Sequence, residues 1–245
     1  MKKYIDLFNS YVDKFDINNE MIKRKYYHSL HVMEIELELA KFMNLSNEEV
    51  ELAGLCGLLH DIGRFKQVYE YNTFDDFKSI NHGVLGLSIL TDMNYINLYT
   101  KNEEWKNIIL KSTINHNKTF IDSDLTEKEK VFVNLTRDAD KLDIFEIVIE
   151  DMKFNSVDGF IKDSIYNRLY NLEFDYEIPD NELDRYGFYI SLLLDINYKR
   201  TYEIILEKNY LNRLIDKIIN SNPQEKNRLE VIREKLDKYI KEKVM

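Results

Sequence analysis

Hydrophobic positions along the chain recur at spacings of three and four residues, the mark of helices that bury one face. Tyr4, Leu7, Phe8, Tyr11, Val12 and Phe15 make the first such stripe, which fades into Asn18 and Asn19. A second runs over about 21–43, where His28, Val32, Ile35 and Leu39 share a face and direct His28 inward. Ser46 followed three residues on by Glu49 is a capping box, in which each residue satisfies an orphan backbone donor at a helix start. The helix begun there is predicted to run through Leu55 to His60, with Gly63 closing it. The polar and aromatic stretch 67–78 reads as a loop that forms a wall or lid, before a helix over about 79–93.

Another helix is predicted over about 103–116. Thr126 and Glu129 then repeat the capping box ahead of a long helix to about 152, which carries Asp138. Beyond Asp151 the periodicity fades until helices near 183–197 and 202–220. Pro223 opens a last one, with Leu229, Ile232, Leu236 and Ile240 on a stripe.

Composition sharpens this picture. Only 7 glycines and 2 prolines punctuate 245 residues, so long helices with few tight turns are expected and the fold class is all-α. One helical domain is expected over 1–245, with a motif core at about 20–150 and a C-terminal helical extension at about 180–245. A net charge of −10 argues against a long nucleic acid as partner and leaves room for a local pocket for one small phosphate. The single Cys56, in an apolar run, excludes an intrachain disulfide and a thiolate zinc cluster. No apolar run reaches membrane-spanning length and the first residues lack the pattern of a signal peptide, so the expectation is a cytoplasmic protein with no membrane partner. Gly54, Gly57, Gly63, Gly83 and Gly86 fall in one short region, which close helix approach would explain.

The candidate chemistry lies in the histidines. The chain has 5, and four of them stand on predicted inner faces or near helix ends alongside aspartates. Imidazole and carboxylate suit Mn, Fe, Ni or Zn, and helices that project them into a bundle core can build a dinuclear site. His60-Asp61 in isolation is better explained by a hydrogen-bonded core histidine.

Its context carries more. Tyr27-His28-Ser29-Leu30-His31-Val32, Leu58-Leu59-His60-Asp61-Ile62-Gly63-Arg64-Phe65 and Arg137-Asp138-Ala139-Asp140-Lys141-Leu142-Asp143 follow one another in that order. Over about 20–150 the chain resembles the HD superfamily of metal-dependent phosphohydrolases, which are all-helical. The segments around His82 and His116 are similar to the additional histidine positions of HD proteins that hold two metals. The resemblance implies one divalent ion on His28, His60, Asp61 and Asp138, and a second on His82 and His116 with Asp61 bridging. One or two ions of Mn, Fe, Mg, Ni or Zn are implied as cofactor, with metal-activated water as nucleophile. Arg64, Lys118 and Lys141 are the candidates by position for stabilising charge on a phosphoryl oxygen, with solvated surface cations as the competing explanation. His31 reads as a packed residue or as one that supports a ligand, and Asp140 is expected to point away from Asp138.

No Gly-Tyr-Pro segment follows the dyad, as it does in cyclic-dinucleotide phosphodiesterases, and no Glu-Asp pair, as in guanosine-tetraphosphate hydrolases. The class that remains, which the chain resembles, is the small stand-alone HD protein with His-Asp-Ile-Gly-Arg-Phe and Asn-His-Asn-Lys segments, described as a predicted hydrolase; Arg64, Lys118 and Lys141 and the commoner activity of the superfamily favour hydrolysis of a small phosphorylated substrate. A di-iron oxygenase of the inositol oxygenase branch and a non-catalytic ligand-sensing module are the alternatives. The C-terminal stripe leaves open packing within a monomer or across a homodimer.

Overall fold

A computed structural model describes residues 1–245, and every regular element in it is helical. Where the sequence reads as one domain with an extension, the chain divides into two compact units, Met1–Asp140 and Lys141–Met245.

The first unit holds α1 (Lys2–Val12), α2 (Glu20–Phe42), α3 (Asn47–Leu59), α4 (Ile62–Tyr71), α5 (His82–Thr91), α6 (Ile96–Tyr99), α7 (Glu103–Asn115) and the start of α8 (Glu127–Glu150). Asn19 starts α2 by accepting from the backbone of Met21 and Ile22. Ile22, His28, Ser29, Val32, Met33, Glu36, Leu39 and Ala40 form its buried stripe. The capping box at α3 is complete: Ser46 N donates to Glu49 Oε2 at 3.0 Å and Glu49 N to Ser46 Oγ at 3.3 Å. That at α8 is complete as well, between Thr126 and Glu129.

Helix α3 is buried on every side from Leu52 to Leu59, which makes it the centre of this unit, packed along α2 and against α7. Helix α1 covers the start of α4 with aromatic rings. Phe8 and Tyr11 meet Phe65 edge to face, with centroids 5.6 and 6.0 Å apart.

Gly63 does not close a helix; it lies in the first turn of α4. A Cβ there would stand 2.2 Å from the carbonyl oxygen of His82 and 2.7 Å from the amide nitrogen of Gly86, so α4 meets α5 backbone to backbone. Gly57 plays the same part between α3 and α2, where a Cβ would stand 2.9 Å from Met33 Cα. The loop after α4 is accordingly shorter than the pattern suggests, because α4 continues through Tyr71.

The second unit contains the rest of α8, then α9 (Asp163–Asn171), α10 (Glu182–Ser191), α11 (Lys199–Glu207), α12 (Tyr210–Ser221) and α13 (Lys226–Val244). Its irregular stretch 152–162 is held by side chains from elsewhere in the unit. Val157 N donates to Asn222 Oδ1 at 2.8 Å, Lys162 N to Asp184 Oδ1 at 2.9 Å, Asn155 N to the Tyr186 hydroxyl at 2.9 Å, and Ile161 N to Glu225 Oε1. No helix of the chain is long and apolar enough to cross a membrane.

One carboxyl is enclosed in the core of the first unit. Glu36 of α2 is fully buried; Thr136 of α8 donates to its Oε1 at 3.0 Å, and Oε2 has no hydrogen-bond partner. Burial pushes its carboxyl well above the ordinary range, outweighing the Thr136 hydrogen bond. A carboxyl raised on folding contributes its full stability only below its unfolded value. The contribution is lost as pH climbs towards the folded value, by up to about 1.4 kcal/mol per pH unit. Glu36→Gln is therefore expected to be increasingly more stable than the parent chain between about pH 5 and about pH 8. Denaturation midpoints at the two pH values check this, and a constant difference between the proteins would contradict it.

Candidate metal centre

Five helices or helix ends converge on one buried carboxylate. His28 comes from the middle of α2, His60 and Asp61 from the α3–α4 junction, His82 from the first residue of α5, His116 from the end of α7, and Asp140 from α8. Asp61 occupies the N-cap of α4 at φ −105 and ψ 18, yet its side chain makes no capping hydrogen bond. An aspartate there ordinarily gains about 1 kcal/mol by capping. Here the carboxylate turns to the histidines instead. The end of α7 is held by Arg137, whose guanidinium donates to the carbonyls of Asn115, His116 and Lys118 at 3.0, 3.2 and 2.5 Å.

The rings are fixed through their Nδ1 atoms. His60 Nδ1 lies 2.7 Å from the Gly57 carbonyl, His116 Nδ1 2.8 Å from that of Thr113, and His82 Nδ1 2.6 Å from Asp76 Oδ2. Carbonyl and carboxylate oxygens only accept, so in each neutral ring the proton sits on Nδ1 and Nε2 presents a bare lone pair. Burial pushes the His60 imidazole down against the pull of Asp61. Burial and then the Arg64 guanidinium push His82 down to about 3. Burial alone would raise Asp61, but Lys25 and His60 hold it well below the usual carboxylate range.

The Nε2 atoms form two groups, one on each oxygen of Asp61. His82 Nε2 and His116 Nε2 stand 3.0 Å apart and lie 3.3 and 3.5 Å from Asp61 Oδ1, which has no hydrogen-bond donor. On the other side His28 Nε2 and His60 Nε2 stand 3.2 Å apart and lie 3.4 and 3.5 Å from Asp61 Oδ2. Asp140 Oδ1 joins this second set, 3.1 Å from His28 Nε2 and 3.7 Å from His60 Nε2.

These residues fit divalent cations. Around Asp61 Oδ1 three electron-pair donors face one another with no proton to share, a repulsive arrangement that a cation turns into an attractive one. Their separations match the roughly 3 Å between neighbouring nitrogen and oxygen ligands of one ion with bonds of about 2.0–2.2 Å. The neutral imidazoles and carboxylates suit Mn, Fe, Ni or Zn.

The structure brings together His28, His60, Asp61, His82 and His116. The α8 carboxylate placed against His28 and His60 is that of Asp140, two residues beyond the fully buried Asp138. Two residues apart on a helix, the two side chains leave it about 200° apart, so they face different neighbours. His31 is exposed, on the outer side of α2.

Of the expected cations, Arg64 reaches the centre, with Nε 3.6 Å from Asp61 Oδ1, while Lys118 and Lys141 pair elsewhere. Arg64 Nη1 donates to Gln67, to the Phe74 carbonyl and to Asp76 at 2.7, 2.7 and 2.9 Å. Lys118 pairs with Asp122 at 2.6 Å and Lys141 with Asp195 at 2.8 Å. The ammonium at the centre is that of Lys25, 2.6 Å from Asp61 Oδ2. Its position one turn before His28 on α2 was a signal available in the sequence. Asp76 left no such signal, because a loop of no fixed period delivers it.

Residues 26–146 match the HD domain family, and the cluster of His and Asp side chains fits the HD superfamily, whose members are mostly metal-dependent phosphohydrolases. No curated protein and no solved structure matches the chain.

Asp61→Ala is expected to lose all bound divalent metal, and Asp140→Ala to lose about one ion while keeping the other, as measured by elemental analysis after dialysis. Full metal content in Asp140→Ala would return the α8 position to Asp138.

Proposed function

We propose that the chain is a metal-dependent phosphohydrolase that uses water to cleave a small phosphate ester, a phosphomonoester or a phosphodiester such as a nucleotide. The observation that supports this most is the single charged Asp61 with a pair of imidazole nitrogens on each of its oxygens, the layout of a two-ion site. Divalent ions held there acidify water and polarise a phosphoryl oxygen, so hydrolysis needs no protein nucleophile.

The chain's own residues supply the rest. Nδ1 hydrogen bonds fix the rings of His60, His82 and His116 before any ligand arrives, so no reorientation accompanies loading. Lys25, partly buried and 2.6 Å from Asp61 Oδ2, is a cation that would meet a phosphoryl oxygen bound at the site. Arg64 stands beside it, with Nε 3.6 Å from Asp61 Oδ1, whereas Lys118 and Lys141 pair with Asp122 and Asp195. A small substrate agrees with an overall charge of −10, which repels an extended polyanion while one local ammonium still attracts a phosphate.

The test is a panel of phosphate mono- and diesters, nucleotides included, assayed with Mn, Fe, Mg, Ni and Zn. Phosphate release that depends on added metal and disappears in Asp61→Ala is expected. Lys25→Met is expected to lose roughly tenfold to a hundredfold in kcat/KM, the worth of one hydrogen bond to a charged group, and Lys25→Arg to keep most of it. An iron pair that consumes dioxygen without releasing phosphate would replace this reading with the di-iron oxygenase one.

A further inference from the structure

We propose that Asp76 is the positioning residue of the ion position formed by Asp61, His82 and His116, holding His82 in the tautomer and orientation that binding requires. The proposal rests on the two-ion reading of the site and not on the reaction performed there.

The argument starts from helix geometry. His60 and His116 end their helices, so each finds a backbone carbonyl one turn back, at Gly57 and Thr113, to accept its Nδ1 proton. His82 is the first residue of α5, so no helical turn precedes it and no carbonyl is presented to its ring in this way. The acceptor has to come from outside the helix. Asp76, in the loop between α4 and α5, supplies it, with Oδ2 2.6 Å from His82 Nδ1.

The carboxylate is itself held on both oxygens. Asp76 Oδ1 accepts from Arg64 Nη1 at 2.9 Å and Gln67 Nε2 at 2.8 Å, and Oδ2 accepts from Asn117 Nδ2 at 3.4 Å as well as from His82. Gln67 Nε2 also donates to Ser79 Oγ and the Ile80 carbonyl, both at 2.9 Å, and Arg64 to the Phe74 carbonyl, so two side chains of α4 clamp the loop around Asp76. The stretch read from sequence as a wall or lid is thus the fixed support of one ligand. A carboxylate makes imidazole a stronger donor than a carbonyl does, and removing such a support typically weakens metal binding about 10- to 100-fold.

The experiment is calorimetric titration of Mn²⁺ into the metal-stripped parent chain, Asp76→Asn and His82→Ala, with the visible spectrum of the Co²⁺-loaded proteins as a second readout. Asp76→Asn keeps the shape of the side chain and removes its charge. Its second ion is expected to bind about 10- to 100-fold more weakly, with an altered Co²⁺ spectrum, while the first ion binds within about twofold of the parent. The unchanged first ion also reports an intact fold. Unchanged second-ion binding in Asp76→Asn, where His82→Ala loses that ion, would overturn the proposal and leave the two-ion site standing. Equal weakening of both ions would make Asp76 a general support of the fold and overturn it too. A parent chain that takes up one ion or none would overturn the proposal together with the two-ion reading, whatever the phosphate assays show.

Discussion

A charged carboxylate buried at a break between two helices is the constraint on which the first unit depends. Asp61 is held ionised where burial opposes ionisation, and an unpartnered charge there would cost several kcal/mol. It gives up the local cap that its position offers and draws its partners from α2, α5 and α7 instead. The packing of these helices and the electrostatics of Asp61 therefore support one another: the helices bring the imidazoles and Lys25 within reach, and those groups permit a charge at the centre of the bundle.

Interactions local in sequence were legible in it. The stripes of α1, α2 and α13 and the capping boxes of α3 and α8 are written in residues within one or two turns of each other, and the structure forms them. His28, His60, Asp61, His82 and His116 were legible as a set through their order along the chain. What escaped depended on distant partners. Gly63 looks like a terminator by residue type, yet the approach of α5 is what requires a glycine there. Helix α9 and the stretch before it are arranged by Asn222, Glu225 and Asp184, far along the chain, so periodicity is silent about them.

The choice between Asp138 and Asp140 shows the limit from another side. An amphipathic helix announces which of two neighbouring residues faces inward. Helix α8 does not, because Phe132, Val133, Leu135, Thr136, Arg137, Asp138, Ala139, Lys141, Leu142 and Asp143 are all buried. With no outer face for reference, the phase of the helix cannot be read from its pattern. Only the position of His28 relative to α8 distinguishes the two carboxylates.

The contact of Gly63 with His82 and Gly86 bears on ligand spacing. In most sites the spacing of ligands is adjusted by repacking the side chains behind them. Between Asp61 and His82 nothing is left to repack, since the first turns of α4 and α5 already touch through main-chain atoms, the least compressible part of a protein interior. The opening at Asp61 Oδ1 thus has a floor set by van der Waals radii. Contact fixes how near the two ligands can come and not how far apart they can move, so the pair of glycines is what lets Asp61 and His82 approach within reach of one ion, and a side chain at either position would hold them apart.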